Sequence, residues 1–454
     1  MLKTTFRKKL NEVLILVSLL SCVVVSLMFS FDDGISIQTW SFDFWDCVFS
    51  GKLNQFYTYL YENVRGARHI SCGGSFFWLI PIAIWNLPLW IANKLIWGYM
   101  VLPELFGLWT KFFFLACMIA LCSVIARIIE AGTEDKLDVM QFLIASPAIT
   151  ISSFYAGQDE VVYELFFFIS LLLLKEKKYK KAYAFGLISV LMCPVLTPAF
   201  LLCLIAIEKN LWRVMLNLIP YFLVSALYQL FFRADEMLNY VNVSATGWIQ
   251  IMFRYWMIQT PMGDLPIWAL VYTILCWYVY KKCFLLSEEN KNYIILLVSV
   301  SVSVITLIFM SNQVFYRQML WVPFVLLLVM IEKEQKNLMY PLMVAITGGN
   351  FFHILSMDNY VFNYTCTSSL LKSIINKNIK YNNLFSALDE QYQTIEGLVL
   401  PFTIITYSAL GLLFISIVSR DKKNYSLRGG AEVAKVVYSM IIPLTIILFV
   451  LNYA

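Results

Sequence analysis

The sequence predicts an all-α polytopic membrane protein of about thirteen transmembrane helices. Three observations predict it. The 454-residue chain is 60% hydrophobic and 14% charged, whereas water-soluble domains carry about 25% charged residues. Apolar runs near the roughly 20 residues that a helix needs to cross a bilayer recur from end to end. The runs are continuous and do not alternate, which argues against a barrel. The net charge of +5 is ordinary and points to no nucleic-acid partner. Ten cysteines are scattered without a C-x-x-C, so neither a zinc site nor a disulfide framework is expected. Cys47 and Cys72 are the one candidate pair for a bridge.

The elements follow in order from charge and hydropathy. The basic start of "MLKTTFRKKLNEVLILVSLLSCVVVSLMFSF" places the N-terminus in the cytoplasm by the positive-inside rule. Its apolar run is long enough to span, so residues 1–31 read as an uncleaved first helix, not a signal peptide. "KEKKYKK" (Lys175 to Lys181) is the strongest cytoplasmic marker. With it inside, "GQDE" lies outside and "EAGTEDKLD" inside. Residues 32–106 then begin and end outside. They contain "FFWLIPIAIWNLPLWIANKLIWGYMVLP", whose prolines, tryptophans and Lys94 suit interfacial or partly inserted helices better than a clean span. Residues 107–352 form the transmembrane core. Tyr183–Cys193 and Val195–Ile207 are two short passes around "CPVLTP". Residues 353–396 form a second long outer loop, and 397–454 hold the last two spans. All of it reads as one membrane domain. No internal repeat is evident, which argues mildly against an inverted-repeat transporter.

Candidate functional residues gather on the outer face. Asp32 and Asp33 emerge at the outer end of the first helix; the plainer reading is solvated loop charge. Asp43 and Asp46 share a helix face with period three. Phe42, Trp45 and Phe49 make an apolar stripe there, as on an amphipathic helix lying on the outer leaflet. At the crest "SSFYAGQDEVVYELFFF", Gln158, Asp159 and Glu160 sit between two apolar segments. An acid partly desolvated at such a place gains the raised pKa of a general base. The plainer reading is that Asp159 and Glu160 cap the next helix at its positive end. Glu164, one turn later, must face the protein interior, because an acid in lipid is costly.

In "SNQVFYRQMLWVPFVLLL", Tyr316 and Arg317 stand at an outer helix end. An arginine there can grip a phosphate with two parallel hydrogen bonds, or simply snorkel beside Trp321. Arg65, Arg68 and His69 lie in the first outer loop. His69 and His353, the only histidines, are poor evidence for a metal site, and no cofactor is expected. Asn242 and Asn363 head N-glycosylation sequons on the outer side.

In their order, these motifs resemble the GT-C superfamily of integral-membrane glycosyltransferases that use polyprenyl-phosphate-linked sugars. Acids follow the first helix into a large outer loop with interfacial, jaw-like helices. A proline-rich inserted segment comes next. "FLIASPAITISSFYAGQDE" looks like the family's second outer loop with its "SP…GQ-D" pattern. The basic loop with its helix pair and "NQVFYRQMLWVPFVLLL" complete a likeness that covers residues 1–330. The family often carries a lysine in the helix after the basic loop, and "LMCPVLTP" has none.

The resemblance implies an inverting transfer on the extracytoplasmic side, as in the building of cell-envelope polysaccharide at a bacterial plasma membrane. Sugar would move from a polyprenyl-phosphate donor to a glycan or lipid-linked acceptor, with membrane lipids around both. It implies Asp33, or its neighbour Asp32, as base and Asp159 as a second acid. Gln158 and Glu160 would contact substrate. Arg317 and Tyr316, with Arg65, Arg68 or His69, would meet the phosphate. Two other readings stand beside this one. The first is a multi-pass transporter or lipid-linked sugar flippase using Asp159 and Glu164. The second is a polysaccharide polymerase of similar fold.

Overall fold

The structure is a computed structural model. It describes residues 2–30, 32–63, 76–97, 103–130, 132–155, 157–208, 210–242, 257–261, 263–285, 322–331 and 430–453, with short pieces at 366–367 and within 341–346 and 404–412. The described chain is mostly helical. Among the described residues four helices are long and apolar enough to cross a membrane: Lys8–Leu27, Leu79–Ile96, Gly107–Ile128 and Leu211–Phe231. A bent pair, Asp135–Ile144 with Pro147–Tyr155, qualifies as a fifth if taken together. Many large apolar side chains are exposed, such as Trp212, Phe222, Leu227 and Leu230 on Leu211–Phe231. Exposed apolar surface on this scale fits a protein whose solvent is lipid.

The chain divides into two compact units. One comprises Met1–Gly34, Phe114–Val161 and Gln313–Ala454; the other comprises Ile35–Phe113 and Val162–Asn312.

In the first unit, α1 (Leu2–Met28) lies along α6 (Thr133–Ile144), which the single turn α7 (Pro147–Ile149) follows, and along the final helix, Gly430–Tyr453. The three run parallel, as paired contacts show. Asn11 near the start of α1 donates to Asp138 of α6 at 2.7 Å. Further along, the Cys22 thiol lies 3.6 Å from the Ile144 carbonyl and from the Thr150 hydroxyl. Asp138 also holds Lys435 at 2.6 Å, and Gln141 donates to Ser439 at 2.7 Å. Lys435 is 0% exposed and Asp138 1%. A carboxylate and an ammonium can be buried this deeply only as a pair with further hydrogen bonds.

The second unit contains α2 (Asp32–Phe49, from Ile35), α3 (Phe56–Asn63) and α4 (Leu79–Ala92). It also holds the first part of α5 (Pro103–Ile128), up to Phe113. Pro81 and Pro88 do not break α4, contrary to the sequence reading. Pro81 lies in the first turn, where no N–H is missed, and Pro88 is accommodated inside the helix. The helix loosens only after Ala92, into a π-helical turn at Asn93–Trp97. α4 packs on α5 through the stacked rings of Trp85 and Trp109, centroids 5.1 Å apart, each indole N–H donating to the other's carbonyl.

The apolar stripe of α2 meets α4 in part. Phe42 is buried and Trp45 donates to the Ala83 carbonyl at 2.7 Å, while Phe49 stacks on Trp90 and stays 67% exposed. Cys47 is buried with a free thiol, and Cys72 lies outside the described residues.

The start of α3 is capped from far along the chain. Asp235 accepts the backbone N–H of Tyr57 at 2.7 Å and of Thr58 at 3.0 Å, two of the donors a helix start leaves unsatisfied. α8 (Glu160–Lys175, from Val162), α9 (Tyr179–Met192), α10 (Thr197–Ile207) and α11 (Leu211–Phe231) follow. The two short passes around "CPVLTP" are α9 and α10, separated by a 3-10 turn at Pro194–Leu196. A Cβ at Gly186 would meet the Phe200 ring at 2.5 Å, so only glycine lets α9 and α10 approach. A short antiparallel hairpin, Met257–Thr260 with Gly263–Pro266, precedes the helix Ile267–Leu285.

Candidate functional site

The crest is built residue by residue from "SPAITISSFYAGQDE". Ser146 caps the next turn by accepting the Ile149 N–H at 3.4 Å, and Pro147 stands at the first helical position, where its fixed φ is preorganised. A π-helical turn, Thr150–Tyr155, follows. The chain then reverses. Gly157 adopts φ +72°, and the Gln158 N–H closes back onto the Ser152 carbonyl at 3.0 Å. Asp159 is half-exposed, and Glu160 opens α8 with its side chain buried.

The same residues explain why the crest needs its glycine. The left-handed φ disfavours any residue with a Cβ. A Cβ at Gly157 would also lie 2.7 Å from the Cα of Gly34. Two backbones therefore touch at Gly34 and Gly157. Gly34 directly follows Asp33 in the first turn of α2, and Asp159 is two residues past Gly157. Consecutive Cα atoms are about 3.8 Å apart, so Asp32 and Asp33 lie one or two residue steps from the contact and Asp159 and Glu160 two or three. Both acid pairs stand at helix starts, where the helix dipole favours negative charge. Glu164 is 0% exposed, inside the protein as its sequence position requires.

A third segment joins there. Phe29 and Ser30, just before Asp32, pair antiparallel with Thr367 and Cys366. Residues 366–367, from a stretch whose sequence carried no readable role, thus lie beside the backbone that leads to Asp32–Asp33. No repeated pattern announces a two-residue strand, so no sequence signal could have found it.

Other acids sit in the second unit. Asp46 accepts the Trp90 indole N–H at 2.9 Å and pairs with Lys94 at 2.9 Å. Burial pushes the Asp43 carboxyl up to about 7; the Asp46 charge adds to the rise and Lys94 opposes it. Arg65, Arg68, His69, Tyr316 and Arg317 lie outside the described residues, as does Asn363. Among the described residues no three His, Cys, Asp or Glu side chains gather to hold a metal ion. No family model, curated protein or solved structure matches the chain.

Proposed function

We propose that the chain is a glycosyltransferase that moves a sugar from a polyprenyl-phosphate donor to an acceptor hydroxyl on the outer face of the membrane. The observation that carries this reading is the backbone contact of Gly34 with Gly157, which draws Asp32–Asp33 and Gln158–Glu160 toward one place. That closeness of two backbone segments far apart in sequence supports a shared substrate between the acids they carry. On this reading the chain crosses the membrane about thirteen times, and residues 32–106 supply jaw-like interfacial helices.

In the step itself, the Asp33 carboxylate takes the proton of the acceptor hydroxyl. The acceptor oxygen attacks the anomeric carbon from the face opposite the phosphate. The sugar–phosphate C–O bond breaks, and its electron pair leaves on the polyprenyl phosphate. Cations offset that charge; Arg317, with Arg65, Arg68 or His69, fills this role. Asp159 orients acceptor or donor, with Gln158, Glu160 and Tyr316 contacting substrate.

The test is transfer of labelled sugar from a polyprenyl-phosphate sugar by purified protein. Asp33→Asn should cut the rate by about a hundredfold or more, the usual range for a general base. Asp159→Asn and Gly157→Ala should lower it with the protein still folded. Wild-type rates in both aspartate variants would sink the assignment. Glu164, wholly buried in the apolar α8, favours the second reading, a transporter or lipid-linked sugar flippase. Movement of lipid-linked sugar across reconstituted vesicles that is lost in Glu164→Gln, without any transfer, would decide for that reading.

A further inference from the structure

The second unit carries an aromatic ledge beside a fixed pair of opposite charges. Phe49, the last residue of α2, stacks on Trp90 of α4 with ring centroids 4.9 Å apart and planes 8° apart. Trp45, one turn back on α2, adds a third ring 6.1 Å from Phe49. One face of the Phe49 ring is thus covered, yet the residue stays largely exposed. Exposed apolar surface rimmed by polar groups marks a place of interaction, and here the rim is held rigidly.

Asp46 precedes Phe49 by three residues, which puts both on one face of α2. Its carboxylate is held from α4. The Trp90 indole N–H donates to Oδ1 at 2.9 Å. The Lys94 ammonium lies 2.9 Å from Oδ1 and donates to Oδ2 at 3.1 Å. Trp90 therefore bears Phe49 on its ring face and Asp46 at its N–H edge. Lys94 also lies over the Trp90 ring, 5.9 Å from its centroid. A carboxylate has about four lone-pair sites and an ammonium three protons, so these bonds leave both groups able to make more. Lys94 is 49% exposed, open to a ligand.

The ledge stands where apolar helix gives way to water. The apolar stretch of α4 ends at Ile96, and that of α5 begins at Gly107. Tryptophan and lysine at such a level anchor helices to the interface. Anchoring accounts for Trp90 and Lys94 singly. It does not account for a carboxylate fixed at the edge of an exposed aromatic stack.

We infer that Phe49, Trp90, Asp46 and Lys94 form a carbohydrate-binding ledge that takes a neutral pyranose of a glycan chain. A pyranose has an apolar face of C–H groups and a polar edge of hydroxyls. The C–H face packs on an aromatic ring, whose negative π face attracts it. A hydroxyl both donates and accepts, so the edge can give a proton to Asp46 and take one from Lys94. The opposite charges of Asp46 and Lys94 cancel, which favours a neutral ligand. A lipid tail would leave both groups without a new partner. The inference goes beyond the transferase reading and stands without it, since the ledge needs no catalysis.

The experiment uses the full chain in nanodiscs and saturation-transfer NMR. The probes are cellohexaose, maltohexaose and chitohexaose, with polygalacturonate and polyethylene glycol as anionic and non-sugar controls. At least one neutral oligosaccharide should bind through its ring C–H protons. Phe49→Ala should weaken that binding about fivefold to tenfold, the scale of one lost aromatic contact, and Phe49→Trp should keep it. Binding of no neutral oligosaccharide, or affinity unchanged in Phe49→Ala, would overturn the ledge. Equal binding of polyethylene glycol or stronger binding of polygalacturonate would overturn it too. Should Phe49→Ala fail to fold, Lys94→Ala decides, since losing the exposed donor must weaken binding and unchanged affinity refutes the proposal. Oligosaccharide binding without any sugar transfer would refute the transferase reading and leave the ledge standing; transfer without such binding would do the reverse.

Discussion

Asp43 shows how one residue's surroundings set a pH dependence for the protein. Its carboxyl is half-buried, and burial, with the Asp46 charge added and Lys94 opposing, pushes it up to about 7 from an ordinary carboxylate's 3.8. The folded state therefore keeps its proton over a range in which the unfolded chain has lost it. Stability falls wherever the native state binds more protons than the unfolded one. The contribution of Asp43 is thus fully present below about 4 and declines as pH rises to about 7. Asp43→Asn, which mimics the protonated acid, should raise the melting temperature at pH 8 and change it little at pH 4. Thermal unfolding in detergent across that range checks it; an equal shift at both pH values would show that Asp43 does not titrate in this way. Its place on the helix face with Asp46 was legible from spacing. Its burial was not, because burial came from α4, an element whose packing partner no local pattern names.

At the scale of elements, apolar length and helix punctuation were readable, and distant partners were not. α1, α8 and α11 stand close to where their apolar runs and flanking charges put them, because a helix spanning lipid must satisfy its own backbone. The break at "CPVLTP" was visible for the same reason: proline ends a helix or begins one. By contrast, Asp235 capping α3, and Gly34 touching Gly157, join places about 180 and 120 residues apart. Neither leaves a period in the sequence. Of the candidate site, the motif "GQDE" was legible as an outlier in grease, and the identity of its neighbour was not.

The link between α1, α6 and the final helix is of that unreadable kind, and it carries a prediction. Lys435 and Asp138 pair at 2.6 Å with Asn11 donating to the same carboxylate oxygen. Lys435→Met strands a buried carboxylate and should cost about 3–5 kcal/mol. The double variant Lys435→Met with Asp138→Leu removes both charges and should recover most of that loss, since apolar replacements of a buried pair are often neutral. Denaturant unfolding in nanodiscs measures both. If the double variant loses as much as the single one, the pair does not owe its cost to an uncompensated charge.

For the whole molecule the open quantity is direction. α1, α6 and the final helix run parallel by their contacts, so all three begin on one side of any membrane they cross. Asn11, Asp138 and Lys435 mark that side as one polar layer. The charge pattern says which side it is. Lys3, Arg7, Lys8 and Lys9 precede α1, Lys136 opens α6, and "RDKK" precedes the final helix. Basic residues cluster in short cytoplasmic loops, so two independent lines, contact geometry and charge, agree on a common orientation for three helices far apart in sequence. The charge pattern of the sequence predicts the crest and the hairpin of Met257–Thr260 outside and the turn after α8 inside. Cysteine labelling in intact cells tests this. The six buried native thiols should contribute little background, and Cys72, Cys276, Cys283 and Cys366 are first replaced by serine. Gln259→Cys, exposed on the hairpin, should react with a membrane-impermeant maleimide at once. Lys178→Cys, exposed in the basic turn, should react only after permeabilisation. The reverse pattern would put Asp33 and Asp159 in the cytoplasm and remove an extracytoplasmic transferase from consideration. Reaction of both from outside would break the charge-derived path between α8 and the hairpin while leaving the parallel trio intact.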